Sequence, residues 1–167
     1  MEIVKYPDPR LRQKAEPITA IDAELRRIAR DMIEAMHEDR GVGLAGPQVA
    51  VFKRIVIINV SGREGDDHVF LNPRILDGQG HEVADEGCLS VPGIWAPVER
   101  YAEVTVQAMD PTGRRLTLEA EGLLARAFQH EIDHLDGVLF IDRLTDEARQ
   151  NVADDIKALE AAFSATA

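Results

Sequence analysis

Apolar positions along the chain change their spacing several times, and each change marks a different kind of element. Between Asp22 and Gly41, Leu25, Ile28, Met32 and Met36 recur every three or four residues, the period of a helix with one buried face. Asp22 is placed to cap the first turn, and Gly41, after His37 and Arg40, to stop the last. Beyond it the runs shorten. Residues 54–60 and 69–76 are rich in β-branched and aliphatic side chains, and the polar stretch 62–67 between them reads as a hairpin loop. A second strand pair is expected over 98–109 and 116–118, joined at Asp110-Pro111-Thr112-Gly113. Helical spacing returns over 122–135, with Gly137 as C-terminal cap. There Leu123, Ala127, His130 and His134 form one stripe and Leu124, Phe128, Glu131 and Leu135 the next, both expected to face the interior. The last segment carries Val152, Ile156, Leu159 and Phe163 on one face, an amphipathic helix packing on the body. Pro7, Pro9 and Pro17 make the start extended chain. The pattern predicts an α+β fold: mixed, mainly antiparallel β-sheet packed around the 122–135 helix, with an N-terminal helix and a C-terminal helix.

Size and charge narrow the function. A chain of 167 residues with 45% hydrophobic content suits a single domain spanning 1–167, long enough for a core and too short for two ordinary ones. A net charge of -11 and a pI near 4.9 argue against nucleic-acid binding, which needs a basic face. No stretch is apolar over the roughly 18 residues of a membrane span. The start, Met1-Glu2-Ile3-Val4-Lys5-Tyr6, lacks the basic and then apolar regions of a signal peptide, so a cytoplasmic location is expected. The single cysteine, Cys88, cannot form an intrachain disulfide and stands as a free thiol to be explained.

The candidate chemistry lies on the 122–135 helix. His130 and His134, four residues apart in His-Glu-Ile-Asp-His, would share one helix face and grip one metal ion, with Glu131 beside the open position. Without a metal, three ionisable groups would be buried unpartnered, at a cost of several kcal/mol. The motif belongs to metal-assisted hydrolysis in general, so the third ligand decides the enzyme class. One protease class places a third histidine where this chain has Phe140, which cannot ligate. Another takes a later glutamate, for which Glu147 and Glu160 are available in an acidic surface segment. Upstream, Cys88 in Glu86-Gly87-Cys88-Leu89-Ser90 ends a strand-like run, next to a glycine that permits close approach. A closed structural site would need a fourth ligand, and His37, His68 and His81 form no ligand-like pair. Gly41-Val42-Gly43 follows a helix and precedes a strand, the reverse of a dinucleotide loop. It exposes backbone instead, along which an extended peptide could pair at Gly43 on one side and near Gly87 on the other.

Three blocks resemble the signature motifs of the peptide deformylase family, in the family's order: Gly41-Val42-Gly43-Leu44-Ala45-Gly46-Pro47-Gln48, Glu86-Gly87-Cys88-Leu89-Ser90, and Gln129-His130-Glu131-Ile132-Asp133-His134-Leu135-Asp136-Gly137. Tyr6-Pro7-Asp8-Pro9 and Leu71-Asn72-Pro73 extend the likeness over nearly the whole chain before the last helix. The resemblance implies Cys88, His130 and His134 as metal ligands, Glu131 as general acid/base, and the Gln48 amide and Leu89 N–H as donors to the substrate oxygen. It implies Val42, Gly43, Leu44, Gly87 and Ala127 as substrate-binding residues. It further implies one divalent ion, ferrous iron, replaceable by zinc, nickel or cobalt. A water on that ion, its pKa lowered toward neutrality, would be the nucleophile. The substrate implied is the N-formyl-methionyl end of nascent polypeptides, met close to the ribosome without nucleic-acid contact, and the product formate. Three positions stand out. Gly46 replaces a common alanine and is expected to loosen its turn. Arg126 replaces an aliphatic residue near the methionine pocket, its stem lying along the wall or its charge altering preference. Trp95, beside the expected entrance, is read as packing in preference to substrate contact.

Overall fold

The chain is described over residues 1–166 by a computed structural model. The first helix, α1 (Ala23–Glu38), begins at Asp22, whose carboxylate accepts the Leu25 N–H at 2.9 Å, and it buries Leu25, Ile28, Met32 and Met36 as the spacing requires. Its end differs from expectation, because Arg40 adopts the left-handed conformation (φ 56°), not Gly41. Gly41 allows close approach instead: a Cβ there would stand 2.8 Å from the end of the Leu89 side chain, which would have to shift.

Seven strands follow. They are β1 (Gly43–Ala45), β2 (Ile55–Ile58), β3 (His68–Gln79), β4 (Glu82–Cys88), β5 (Val91–Arg100), β6 (Glu103–Met109) and β7 (Arg115–Glu121). All pair antiparallel, in a five-stranded sheet ordered β1-β2-β3-β6-β7 and a two-stranded sheet of β4 and β5. The hairpin across 62–67 forms as expected. The single strand expected over 98–109 is instead two strands in two sheets. The chain breaks at Tyr101, whose N–H donates to Gln129 Oε1 at 2.9 Å and whose carbonyl accepts from Gln129 Nε2 at 3.0 Å. A side chain thus replaces the ladder partners, and the strand can change sheets.

The central helix, α2 (Gly122–Leu135), has the expected bounds and ends at Gly137 (φ 76°), whose N–H donates to the His134 carbonyl at 3.1 Å. Leu123 departs from its stripe and is exposed. The start is not wholly extended: Pro9–Arg12 forms a 3-10 turn capped by Asp8, with Leu11 buried beneath it. The last helix is divided at Val152 into α3 (Asp146–Asn151) and α4 (Ala153–Thr166). Val152 and Ile156 are buried and Leu159 is half-buried against them, so this face packs on the body as read.

Three apolar clusters hold these elements. In the first, α2 packs Phe128 and Leu135 against Val56, Ile58, Phe70 and Val106. In the second, α1 packs Met32 and Met36 against Leu44, Ile55, Ile57 and Leu71. Alternate residues of β2 therefore face opposite helices, and a strand covered on both faces reads as the unbroken Ile55-Val56-Ile57-Ile58. The third joins Val91, Ile94 and Val98 of β5 to Leu11, Phe140 and Ile156.

Candidate metal centre

Each cluster contributes one edge of a cleft of about 470 Å³. On α2, His130 and His134 project from successive turns with ring centroids 5.0 Å apart. Cys88, at the end of β4, brings Sγ to 3.3 Å from His134 Nε2, and the three donor atoms all lie within 4.8 Å of one another. Around a tetrahedral ion at usual bond lengths, sulfur and imidazole nitrogen stand about 3.6 Å apart. The spacing therefore fits a small divalent cation, and among the described residues this is the one such group of histidine, cysteine and carboxylate donors.

The electrostatics agree. Glu131 Oε1 is buried with no hydrogen-bond partner, a costly arrangement in a site made only of protein. Burial pushes the Glu131 carboxyl up to about 7, with Glu86 adding to the effect and His130 opposing it. Burial alone would lower His130, but the Glu131 charge and hydrogen bonds with Cys88 and Glu86 raise it well above the ordinary histidine value. His134 is held well below that value by burial and by the His130 and Arg100 charges, so its ring offers a lone pair. The Cys88 sulfur and the His134 lone pair thus form a donor set that a cation would complete by displacing the proton held at His130.

The upstream chain supplies the opposite wall. Gln48 sits in a 3-10 turn, Gly46–Val49, where its Oε1 accepts the Ala45 N–H at 2.9 Å. That bond turns its amide nitrogen toward Cys88 Sγ at 3.4 Å and Ser90 Oγ at 3.1 Å. Gly46 does not loosen this turn. It is buried under the Val51 and Lys53 carbonyls, the latter 2.6 Å from where a Cβ would stand, and it lets the turn close more tightly. Gly43 has a similar role, because a Cβ there would lie 2.6 Å from Glu131 Oε2.

Of the expected site residues, Val42, Gly43, Gln48, Gly87, Cys88, Leu89, Ala127, His130 and Glu131 border the cleft. Leu44 does not: its side chain is fully buried in the α1 cluster. Phe140 is buried with its ring 6.1 Å from that of His130 and nearly parallel to it, so it supports a candidate ligand and is not one itself. Trp95 packs its ring against the Gly87 backbone at the cleft rim but is 68% exposed, far less covered than a packing residue was expected to be. Glu147 and Glu160 are exposed, and the other three histidines lie outside the cleft.

Sequence reasoning missed the charged residues behind the candidate ligands. Glu86, 5% exposed, accepts from His130 Nδ1 at 2.8 Å and from Arg100 at 2.8 and 2.9 Å. Burial pushes its carboxyl up, but the Arg100 and His130 hydrogen bonds hold it far below the usual range. Arg100 also reaches Asp133 at 2.7 Å, and Arg126 reaches Glu86 at 2.6 Å. The one available signal was alternation along β5, which places Arg100 on the buried face with Val98 and Ala96.

Known proteins resemble this chain in sequence and fold. A sequence model described as polypeptide deformylase matches residues 1–150. A peptide deformylase of Acidobacterium capsulatum is 47% identical over 162 residues, covering 96% of this chain and 95% of its own. One from Nitrosococcus oceani is 45% identical, covering 91% of each. Among solved structures, Arabidopsis thaliana peptide deformylase 1B, in complex with an inhibitor, superposes with a TM-score of 0.95 at 40% identity over 99% of this chain and 93% of its own. The Plasmodium falciparum enzyme gives 0.95 at 39% over 99% and 98%. With residues 41–48, 86–90 and 129–137 all inside the matched region, the chain belongs to the polypeptide deformylase family.

Proposed function

We propose that this chain, acting as one catalytic domain, removes the N-formyl group from the initiator methionine of nascent polypeptides and releases formate. The observation that carries the reading is convergence: Cys88, His130 and His134 meet beside an unpartnered Glu131 carboxylate, with the Gln48 amide turned to the same point. A divalent ion held by these three ligands would supply Lewis acidity and a water acidic enough to attack at neutral pH. The thiolate suits a softer ion, which favours ferrous iron, with zinc, nickel or cobalt as substitutes.

The remaining chemistry belongs to the chain. Glu131, with a pKa near 7, takes a proton from the attacking water and passes it to the leaving amine. As the formyl oxygen gains charge, the Gln48 amide and the Leu89 N–H donate to it, each worth about 3 kcal/mol by comparison with other oxyanion sites. Val42 and Gly43 on one rim and Gly87 on the other give an extended peptide backbone edges to follow. Ala127 is small and leaves room for the methionine side chain. Such a substrate places the work in the cytoplasm, where new chains emerge.

Formate release from a formyl-methionyl peptide by anaerobically purified protein, with its metal measured, tests the reading. Stoichiometric formate with intact internal peptide bonds is expected. Unchanged formyl groups alongside cleaved internal bonds would overturn it in favour of a metalloprotease.

A further inference from the structure

The ligands stand on elements that are packed separately. His130 and His134 ride on α2, whose apolar contacts are with the five-stranded sheet, whereas Cys88 ends a hairpin packed on Leu11, Phe140 and Ile156. Across the seam between them runs a chain of charged groups, buried at Glu86 and Arg100 and reaching the surface at Arg143. Arg126, one helical turn before His130, donates through Nη1 to Glu86 Oε2 at 2.6 Å and to the Val98 carbonyl at 2.9 Å, and through Nη2 to the Glu82 carbonyl at 2.8 Å. It thereby holds both strands of the hairpin at once. Glu86, two residues before Cys88, turns its other oxygen to His130 Nδ1 at 2.8 Å. Arg100 grips Glu86 and crosses back to Asp133 on α2, which Arg143 holds at 2.6 and 2.8 Å.

Buried ionic contacts tolerate little displacement, since a partner lost leaves charge unpaired in a low dielectric. A planar guanidinium with donors in several fixed directions ties three acceptors that a lysine could not. The same three bonds draw the Arg126 charge into the seam and leave its stem at the cleft, so the charge does not face an apolar substrate side chain.

We propose that Arg126 is a positioning residue of the metal centre. By clipping Glu82, Glu86 and Val98 to α2, it sets the distance of Cys88 from the two histidines and the orientation of the His130 ring, and with them the affinity for the ion. The inference rests on reading Cys88, His130 and His134 as metal ligands. Partners that orient a ligating histidine typically change metal affinity 10- to 100-fold when removed.

The test is anaerobic binding of Co2+ and Zn2+ by chelator competition, with the thiolate-to-cobalt absorption recorded and the melting temperature of the stripped protein measured alongside. Arg126→Met, which keeps the stem and deletes the fork, is expected to bind about 10- to 100-fold more weakly, with an altered cobalt spectrum. Arg126→Lys should fall between it and the parent. Arg74→Met, which removes a guanidinium bonded to Gln107 outside the cleft, should leave affinity unchanged. A lower melting temperature with parental affinity and spectrum in folded Arg126→Met would mean a structural role only and overturn the proposal. If that variant does not fold, Arg126→Lys decides, parental affinity again overturning it and weaker affinity supporting it. A parent protein that shows no thiolate-to-cobalt band would sink the ligand assignment itself, an outcome distinct from equal affinities in parent and variants.

Discussion

Glu131 carries two burdens that can be measured apart. It borders the cleft without being one of the three donors, so Glu131→Ala should keep one metal ion per chain and lose formate release by about 100-fold or more. Cys88→Ala should do the reverse and lower metal content first; metal per chain and initial rate separate the two. The second burden is its own ionisation. The unfolded chain releases this proton near the ordinary value of 4.5, while the folded chain keeps it to about 7. Between those values the native state holds more protons, so stability conferred at low pH is lost as pH rises through the window. In metal-stripped protein, Glu131→Gln should be more stable than the parent at pH 8 by on the order of 3 kcal/mol and equal to it at pH 4, by urea denaturation. The histidine pair was legible because a spacing of four fixes a shared helix face before any fold is known. Glu86, Arg100 and Asp133 were not, because their partners lie 14 and 33 residues away and only the crossing of hairpin and helix brings them together. Gln48 lay between: its residue type says nothing, and resemblance alone marked it.

Among the elements, those with a local signal were read almost to the residue. α1 has a capping aspartate and a four-residue period, and α2 has both stripes and a terminal glycine. The break at Tyr101 has no such signal, since it depends on a glutamine in another element. The buried turn holding Gln48 leaves no room for a side chain at Gly46. Gly46→Ala would push its methyl group into the Val51 and Lys53 carbonyls, which are backbone and cannot swing aside. A loss of roughly 1–3 kcal/mol is expected, seen as a lower melting temperature, together with a lower kcat as the Gln48 amide shifts. Unchanged stability would mean that residues 50–54 relax outward without cost.

At the scale of the whole molecule, pattern reading gave the fold class and missed the division into three clusters, because hydrophobic periodicity says which face is buried and not against what. That division gives the centre a mechanical role. Cys88 and His134 are 46 residues apart, so an ion binding both closes a long loop much as a disulfide would. By chain-entropy reasoning such a cross-link opposes unfolding by about 4 kcal/mol. Removing the ion with a chelator should accordingly speed amide hydrogen exchange in β4 and β5 while leaving α1 against β2 nearly as protected as before. Uniform loss of protection would show that the three clusters unfold as one. If the hairpin alone loosens, the protein carries a built-in seam along which it opens, and the ion that serves its chemistry is also the rivet that keeps the seam shut.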